Sequence, residues 1–255
     1  MSNPGKESFE ALFYAGTKTL INHFGIQDPD KLAQIEKGLT AAATYDLLKL
    51  NPVKGDFDLA HMREIHRRLM GDVYPWAGEI RDFPLFKKRS DGFTTEFARP
   101  DEIPQLDQKI REIMKATEGF SHVPTGQFVE TMAKTYQLAN EMHPFREGNG
   151  RTQRIFLTYL AERAGYELKY SAVAPEAWNH AASMSARINI GNGDRVPGRT
   201  AELEKVFAHI SSPLRPMSAY QQGREGLSAK QSQILTLAEL APGFKPGYTA
   251  SRRLR

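Results

Sequence analysis

Apolar positions recur at helical spacing along most of the first 190 residues. Leu32, Ile35, Leu39, Ala42 and Ala43 fall at mostly three- and four-residue steps and predict a helix over 31–50. Leu59, Met62, Ile65 and Leu69 predict another over 58–70, with Gly71 as its stop. Ile103, Leu106, Ile110, Ile113 and Met114 predict a third over 101–117. Phe128, Met132, Tyr136 and Ala139 predict a fourth over 125–142, with Thr125 as cap. Ile155, Phe156, Tyr159 and Leu160 predict a fifth over 150–164, ended by Gly165. A sixth, over 175–189, opens with Pro and Glu, which suit a first turn.

One stretch departs from this period. Over 79–99, Ile80, Phe83, Leu85 and Phe86 precede Ser-Asp-Gly at 90–92, and Phe93, Thr94, Thr95 and Phe97 follow. Aromatic and β-branched residues around Asp-Gly predict a hairpin, and Pro84 places it at an exposed edge. After residue 195 Pro, Gly, Ser and Gln become frequent, apart from a helical stretch at 226–240. The expected organisation is one domain over 1–195, its core 40–190, followed by an appendage or linker over 196–255. The fold class expected is all-α, with one short hairpin.

Composition narrows the function. Apolar residues make up 40% and charged residues 25%, ordinary for a water-soluble domain. No apolar run approaches a bilayer span, and the polar start MSNPGKESFE lacks the apolar region of a secretory signal, so no membrane role is expected. The absence of cysteine excludes disulfides, zinc–thiolate sites and a cysteine nucleophile. A net charge of +4 favours anionic ligands weakly and falls short of a nucleic-acid binder. No Walker loop is present, and His61, Glu64 and His66 do not follow the H-E-x-x-H zinc pattern, so they read as ordinary helix residues.

The chemistry concentrates in residues 143–154, His-Pro-Phe-Arg-Glu-Gly-Asn-Gly-Arg-Thr-Gln-Arg. Gly148-Asn149-Gly150 before a helix turns backbone N–H groups and the positive end of the dipole towards one point, a nest for phosphate oxygens. Arg151 and Arg154 share a helix face there, and their forked donors suit phosphates. Glu147 offers the hard oxygen that Mg²⁺ prefers. His143 can be neutral near pH 7 and accept a proton. Each part alone has an ordinary structural explanation; together they are hard to assign to packing.

This string resembles the signature of the Fic (Fido) family, H-P-F-x-[D/E]-G-N-G-R-x-x-R, at every defined position. Trp76-Ala77-Gly78-Glu79-Ile80-Arg81 and the helix carrying Trp178 are similar to the family too, so the likeness spans roughly 40–190. The resemblance implies a Fic-type helical bundle with a β-hairpin flap, and transfer of AMP from ATP to a Ser, Thr or Tyr hydroxyl of a target protein. By position, it implies His143 as base and Glu147 as the Mg²⁺ ligand. Asn149 with the backbone of Gly148 and Gly150 would bind the α-phosphate, and Arg151 and Arg154 the β- and γ-phosphates. Pro144 would fix the loop's path and Phe145 anchor it. Gly150 stands where a phosphotransferase branch has lysine, which favours AMP transfer. Transfer of UMP, phosphocholine or phosphate, and a nucleotide-binding regulator, are the alternatives.

The same resemblance makes 80–97 the flap, with Phe83, Leu85 and Phe86 meeting the target as an added strand and Lys87 and Lys88 near the nucleotide. Many members restrain themselves with [S/T]-x-x-x-E-[G/N], whose glutamate pairs with the second arginine, here Arg154. The Glu-Gly or Glu-Asn pairs at Glu118, Glu147 and Glu225 have Met114, His143 and Gln221 four residues earlier, so the pattern is missing. The expectation is therefore a small separate antitoxin contacting Arg154. The chain would act as a toxin or secreted effector, either in the bacterial cytoplasm or translocated into a recipient cell.

Overall fold

The computed structural model describes residues 9–89, 92–124, 126–190 and 195–214. Among them the chain forms seven α-helices, six of which the periodicity predicts, with small antiparallel sheets. Helix α1 (Pro29–Tyr45) starts where the Asp28 carboxylate accepts the N–H groups of Asp30 and Lys31, and it runs on through a π-helical turn at Asp46–Leu50. Helix α2 (Leu59–Met70) is capped by Asp58. Helix α3 (Ile103–Ala116) precedes α4 (Phe128–Met142), which starts three residues later than predicted; the proposed cap Thr125 lies outside the described residues.

Helices α4 and α5 (Asn149–Arg163) are apolar or buried on nearly every side, and they form the centre of the molecule. The side-chain amide of Gln153 on α5 donates to the Ala139 carbonyl on α4 at 2.9 Å, fixing the pair next to the connection that joins them. Tyr159 ties α5 to the end of α1 through the Leu47 carbonyl at 2.7 Å. Helix α6 (Pro175–Ser185) lays Trp178 in a cluster with Tyr136, Tyr170 and Phe207.

Three expectations need correction. The hairpin is real but short, β1 (Phe86–Lys88) on β2 (Thr94–Glu96), with Phe86 opposite Glu96 and Lys88 opposite Thr94. Residues 188–189, predicted as helix, are strand β4 (Ile188–Asn189); it pairs with β2 on one side and β5 (Arg195–Val196) on the other, extending the flap into a four-stranded sheet in the order β1-β2-β4-β5. The Ile188-Asn189-Ile190 run is too short to distinguish helix from strand by period alone. The proposed break at 196 also falls too early. Helix α7 (Ala201–Ile210) buries Leu203, Val206, Phe207 and Ile210 in the common core, and β6 (Ser211–Pro213) pairs with β3 (Tyr166–Leu168). The predicted helix at 226–240 lies outside the described residues.

Candidate active site

The connection between the two central helices carries the reactive groups. His143 ends α4 in the left-handed conformation, φ 41°, and its own N–H still reaches the Ala139 carbonyl at 3.1 Å. For a residue with a Cβ this backbone is strained, and it persists because the surroundings hold it. Arg81 does much of the holding. Its buried guanidinium donates to the carbonyls of His143 (2.8 Å), Met142 (3.2 Å), Phe83 (2.6 Å) and Ala98, while its backbone N–H donates to the Pro144 carbonyl at 2.9 Å. The arginine that closes Trp-Ala-Gly-Glu-Ile-Arg thus pins the start of the loop.

The imidazole of His143 stacks on Phe97, centroids 3.7 Å apart and planes at 16°. Its Nδ1 lies 3.2 Å from the Asn140 carbonyl. A carbonyl only accepts, so Nδ1 carries the hydrogen and Nε2 keeps the lone pair. Burial, with the nearby positive charges of Arg81 and Lys87, pushes the ring down to about 3, against one raising contribution from the Asn140 carbonyl. The ring is therefore neutral at pH 7.

The rest of the loop is fixed from inside. Phe145 is buried and stacks on His66 with centroids 3.9 Å apart. His66 spans two segments: its Nε2 donates to the Glu147 carbonyl at 2.9 Å and its Nδ1 accepts the Gly78 N–H at 2.8 Å. This histidine, which reads in the sequence as an ordinary helix residue, positions the loop against the Trp-Ala-Gly segment; 81 residues separate it from Glu147, and no spacing rule links such positions. Burial pushes it down to about 4, so it stays neutral too.

Asn149 also ties the loop together. Its buried amide accepts the Phe145 N–H at 3.0 Å and donates to the Phe145 carbonyl at 2.7 Å. The side chain closes the loop on itself, which leaves its backbone N–H and the second hydrogen of Nδ2 as donors for a phosphate. Gly148 takes φ 78°, and a Cβ there would meet Met70 Sδ at 3.1 Å, so both conformation and space call for glycine. No side chain caps α5, which leaves the N–H groups of its first turn open to an anion, and nothing stands within 4 Å of a Cβ at Gly150.

The charged groups surround that opening. Glu147 is exposed; Oε1 accepts the Gly148 N–H at 3.0 Å and stands 3.7 Å from Arg151 Nη2. Among the described residues no cluster of three metal-ligating side chains exists. A divalent cation at Glu147 would take one carboxylate from the chain and its remaining ligands from phosphate oxygens and water, which fits Mg²⁺. Arg151 pairs with Glu36 at 2.6 Å. Arg154 is exposed and pairs with no carboxylate among the described residues.

The flap residues divide by face. Successive side chains on a strand alternate, so Lys87 shares the inward face with Thr95, towards Phe97 and His143, while Lys88 and Phe86 share the opposite face. Phe83, expected to meet the target, is buried with its ring centroid 5.2 Å from that of Phe9, and the chain returns to the surface at Pro84. Leu85 is part-buried and Phe86 is 53% exposed.

A neutral imidazole at the end of one central helix, facing the uncapped start of the next with two arginines and a carboxylate, defines a helical protein with a site for polyphosphate. Residues 56–161 match the model of the Fic/DOC family. Protein adenylyltransferase VbhT of Bartonella schoenbuchensis is 32% identical over 70% of this chain, which spans 35% of that protein's length. The Escherichia coli K12 protein named "Probable protein adenylyltransferase Fic" is 32% identical over 83% of this chain and 97% of its own. Among solved structures, the N-terminal Fic domain of a VirB-translocated Bep effector protein from Bartonella quintana, with bound ADP, superposes with TM-score 0.67 at 28% identity, over 81% of this chain and 96% of that one. The chain belongs to the Fic/DOC family.

Proposed function

We propose that this chain is a protein adenylyltransferase, moving AMP from ATP to a Ser, Thr or Tyr hydroxyl of a target protein and releasing pyrophosphate. The carrying observation is His143, neutral with Nδ1 committed to Asn140, beside the open first turn of α5. Relatives named protein adenylyltransferase, one matched along 97% of its length, support the same reading.

In this mechanism the first-turn N–H groups of α5 hold the α-phosphate, and Arg151 and Arg154 the β- and γ-phosphates. Nε2 of His143 takes the proton from the incoming hydroxyl. The hydroxyl oxygen bonds to the α-phosphorus as the bond to the bridging oxygen of pyrophosphate breaks. Bound Mg²⁺ would supply charge neutralisation between the phosphates, with Glu147 as its protein ligand. The target would pair with the exposed edge of β1, and Lys87 would steady the nucleotide from above.

By the same reading the catalytic domain runs to about residue 214 and an appendage follows. A small antitoxin would meet the surface at Arg154. The chain would act as a toxin or effector in the bacterial cytoplasm or after translocation; no helix among the described residues is long and apolar enough to cross a membrane. The test is labelling of lysate protein with α-labelled ATP and Mg²⁺. His143→Ala is expected to bind ATP as the parent does and to transfer about 10³-fold more slowly, the scale of a lost general base. Equal labelling by parent and variant would remove His143 from the chemistry.

A further inference from the structure

Arg151 is held by an apparatus that the family motif does not contain. Its Nη1 lies 2.6 Å from Glu36 Oε1 and 3.4 Å from Thr40 Oγ1, both on α1 and one helical turn apart. The second oxygen of Glu36 accepts the hydroxyl hydrogen of Tyr74. Tyr74 is buried and stacks on Trp76, centroids 4.6 Å apart and planes at 24°. Burial and the Glu36 charge keep that phenol protonated, so it remains a donor. The result is a relay of fixed groups, Trp76 to Tyr74 to Glu36 to Arg151, ending at the first turn of α5.

Two readings of such a carboxylate compete. A restraint would withhold Arg151 from the nucleotide, and it should sit on an element that can leave. An orienting residue would fix one side of the guanidinium and leave its other donors to the ligand, and it should sit on an immobile element. Helix α1 is anchored to the core, as the second reading requires. Leu32 and Thr40 are buried along it, and Leu47 is buried in the turn that continues it. The donor count agrees. Glu36 and Thr40 use Nη1, whereas Nη2 is 3.7 Å from Glu147 Oε1, where the polyphosphate and its cation would lie.

We propose that Glu36, fixed by Tyr74, is a positioning residue for Arg151 and through it for the polyphosphate end of the nucleotide. The inference rests on the adenylyltransferase reading. It is tested on the full chain with ATP and AMP as probes, by titration calorimetry and by initial labelling rates. Glu36→Gln keeps the size of the side chain and removes its charge. It should weaken ATP binding about tenfold, the worth of one charge-assisted contact, while leaving AMP binding unchanged, because AMP has no β- or γ-phosphate to meet Arg151. KM for ATP should rise more than kcat falls. Tyr74→Phe should act in the same direction more weakly, about threefold, and it serves as the deciding variant should Glu36→Gln not fold. Arg151→Ala should match or exceed Glu36→Gln, and the double variant should lose nothing further.

Faster labelling by Glu36→Gln would make the carboxylate a restraint and overturn the proposal. Equal loss of ATP and AMP binding would reduce it to a support of the fold, which overturns it as well. A parent chain that binds neither nucleotide would instead overturn the adenylyltransferase reading beneath it.

Discussion

The connection 143–151 and the flap sheet face each other across the same opening, yet they are built in opposite ways. In the connection, Pro144, Phe145, Gly148 and Asn149 are buried, and Arg81, His66 and the Asn149 amide engage its backbone from three sides. In the flap, β1 has three exposed residues and one paired edge. Its sheet is held at the far side by ion pairs of Arg195 with Glu96 and Glu102, and of Arg187 with Glu102 and Glu141. The difference follows from the two tasks. Phosphoryl chemistry needs donors fixed before the substrate arrives. Pairing with an extended segment of another protein needs an unsatisfied backbone edge. Perturbing the first region should cost stability and rate together; perturbing the outward face of the second should change only how target protein is used.

The largest loss of stability is expected at Arg81. Arg81→Met leaves the carbonyls of Met142, His143, Phe83 and Ala98 without their donor in a dry setting. Unpaired buried acceptors of this kind cost about 1–3 kcal/mol each before relaxation, so a loss of about 3–5 kcal/mol in urea unfolding is expected, with labelling lost as His143 moves. A variant as stable as the parent would show that the loop does not depend on this guanidinium. Gly148→Ala comes next, at about 2 kcal/mol, from a Cβ forced to positive φ against the Met70 thioether. Thermal unfolding checks it, and substitution of Gly92, at the same sign of φ but with open space around it, is the control.

Acid should affect the connection before the flap. His143 and His66 have folded-state values of about 3 and about 4, both below the usual imidazole range near 6.5. Between those values and 6.5 the unfolded chain binds protons that the native chain excludes, so ν of the unfolded state exceeds that of the native state and stability rises with pH. The contribution of the two rings is complete above about 6.5 and is lost as pH falls towards 4. Stability measured at steps between pH 7 and 4 should fall, and less steeply in His66→Gln, provided that variant folds. The same neutrality predicts no histidine-type rise in kcat/KM from pH 6 to 8; a rise with a midpoint near 6.5 would show the base titrating normally.

How much of this was readable in advance also divides along the comparison. The helices and the reactive loop were legible because their signals are local: apolar period, glycines, and a dozen contiguous residues whose chemistry converges. What holds the loop was not. His66 acts on Glu147 from 81 positions away, Tyr74 on Glu36 from 38 and Glu36 on Arg151 from 115, and Asn149 faces inward because of a backbone turn that no period reports. The sheet extension from 188–196 and the burial of α7 were missed for a related reason. Two-residue strands carry almost no periodicity, and the Pro, Gly and Ser around α7 disguised a helix whose Leu203, Val206, Phe207 and Ile210 needed the core to declare them.

The smallest expected effect is at Phe86, and it separates the two regions most sharply. Phe86 is 53% exposed on the outward face of β1, with Lys88 on the same face and Glu96 opposite. Removing an exposed aromatic ring changes stability by about 0.5 kcal/mol or less, so Phe86→Ser should unfold with the parent and bind ATP with the parent's affinity. A strand added to the β1 edge would still find its backbone partners, but it would lose apolar contact with that ring, worth about 1 kcal/mol or about fivefold in KM for target protein. The assay is labelling at varied target concentration with ATP saturating. A change in kcat with KM unmoved would mean that the ring acts on the reaction centre, which the alternation of side chains along β1 opposes: Lys87 faces His143, and Phe86 points away.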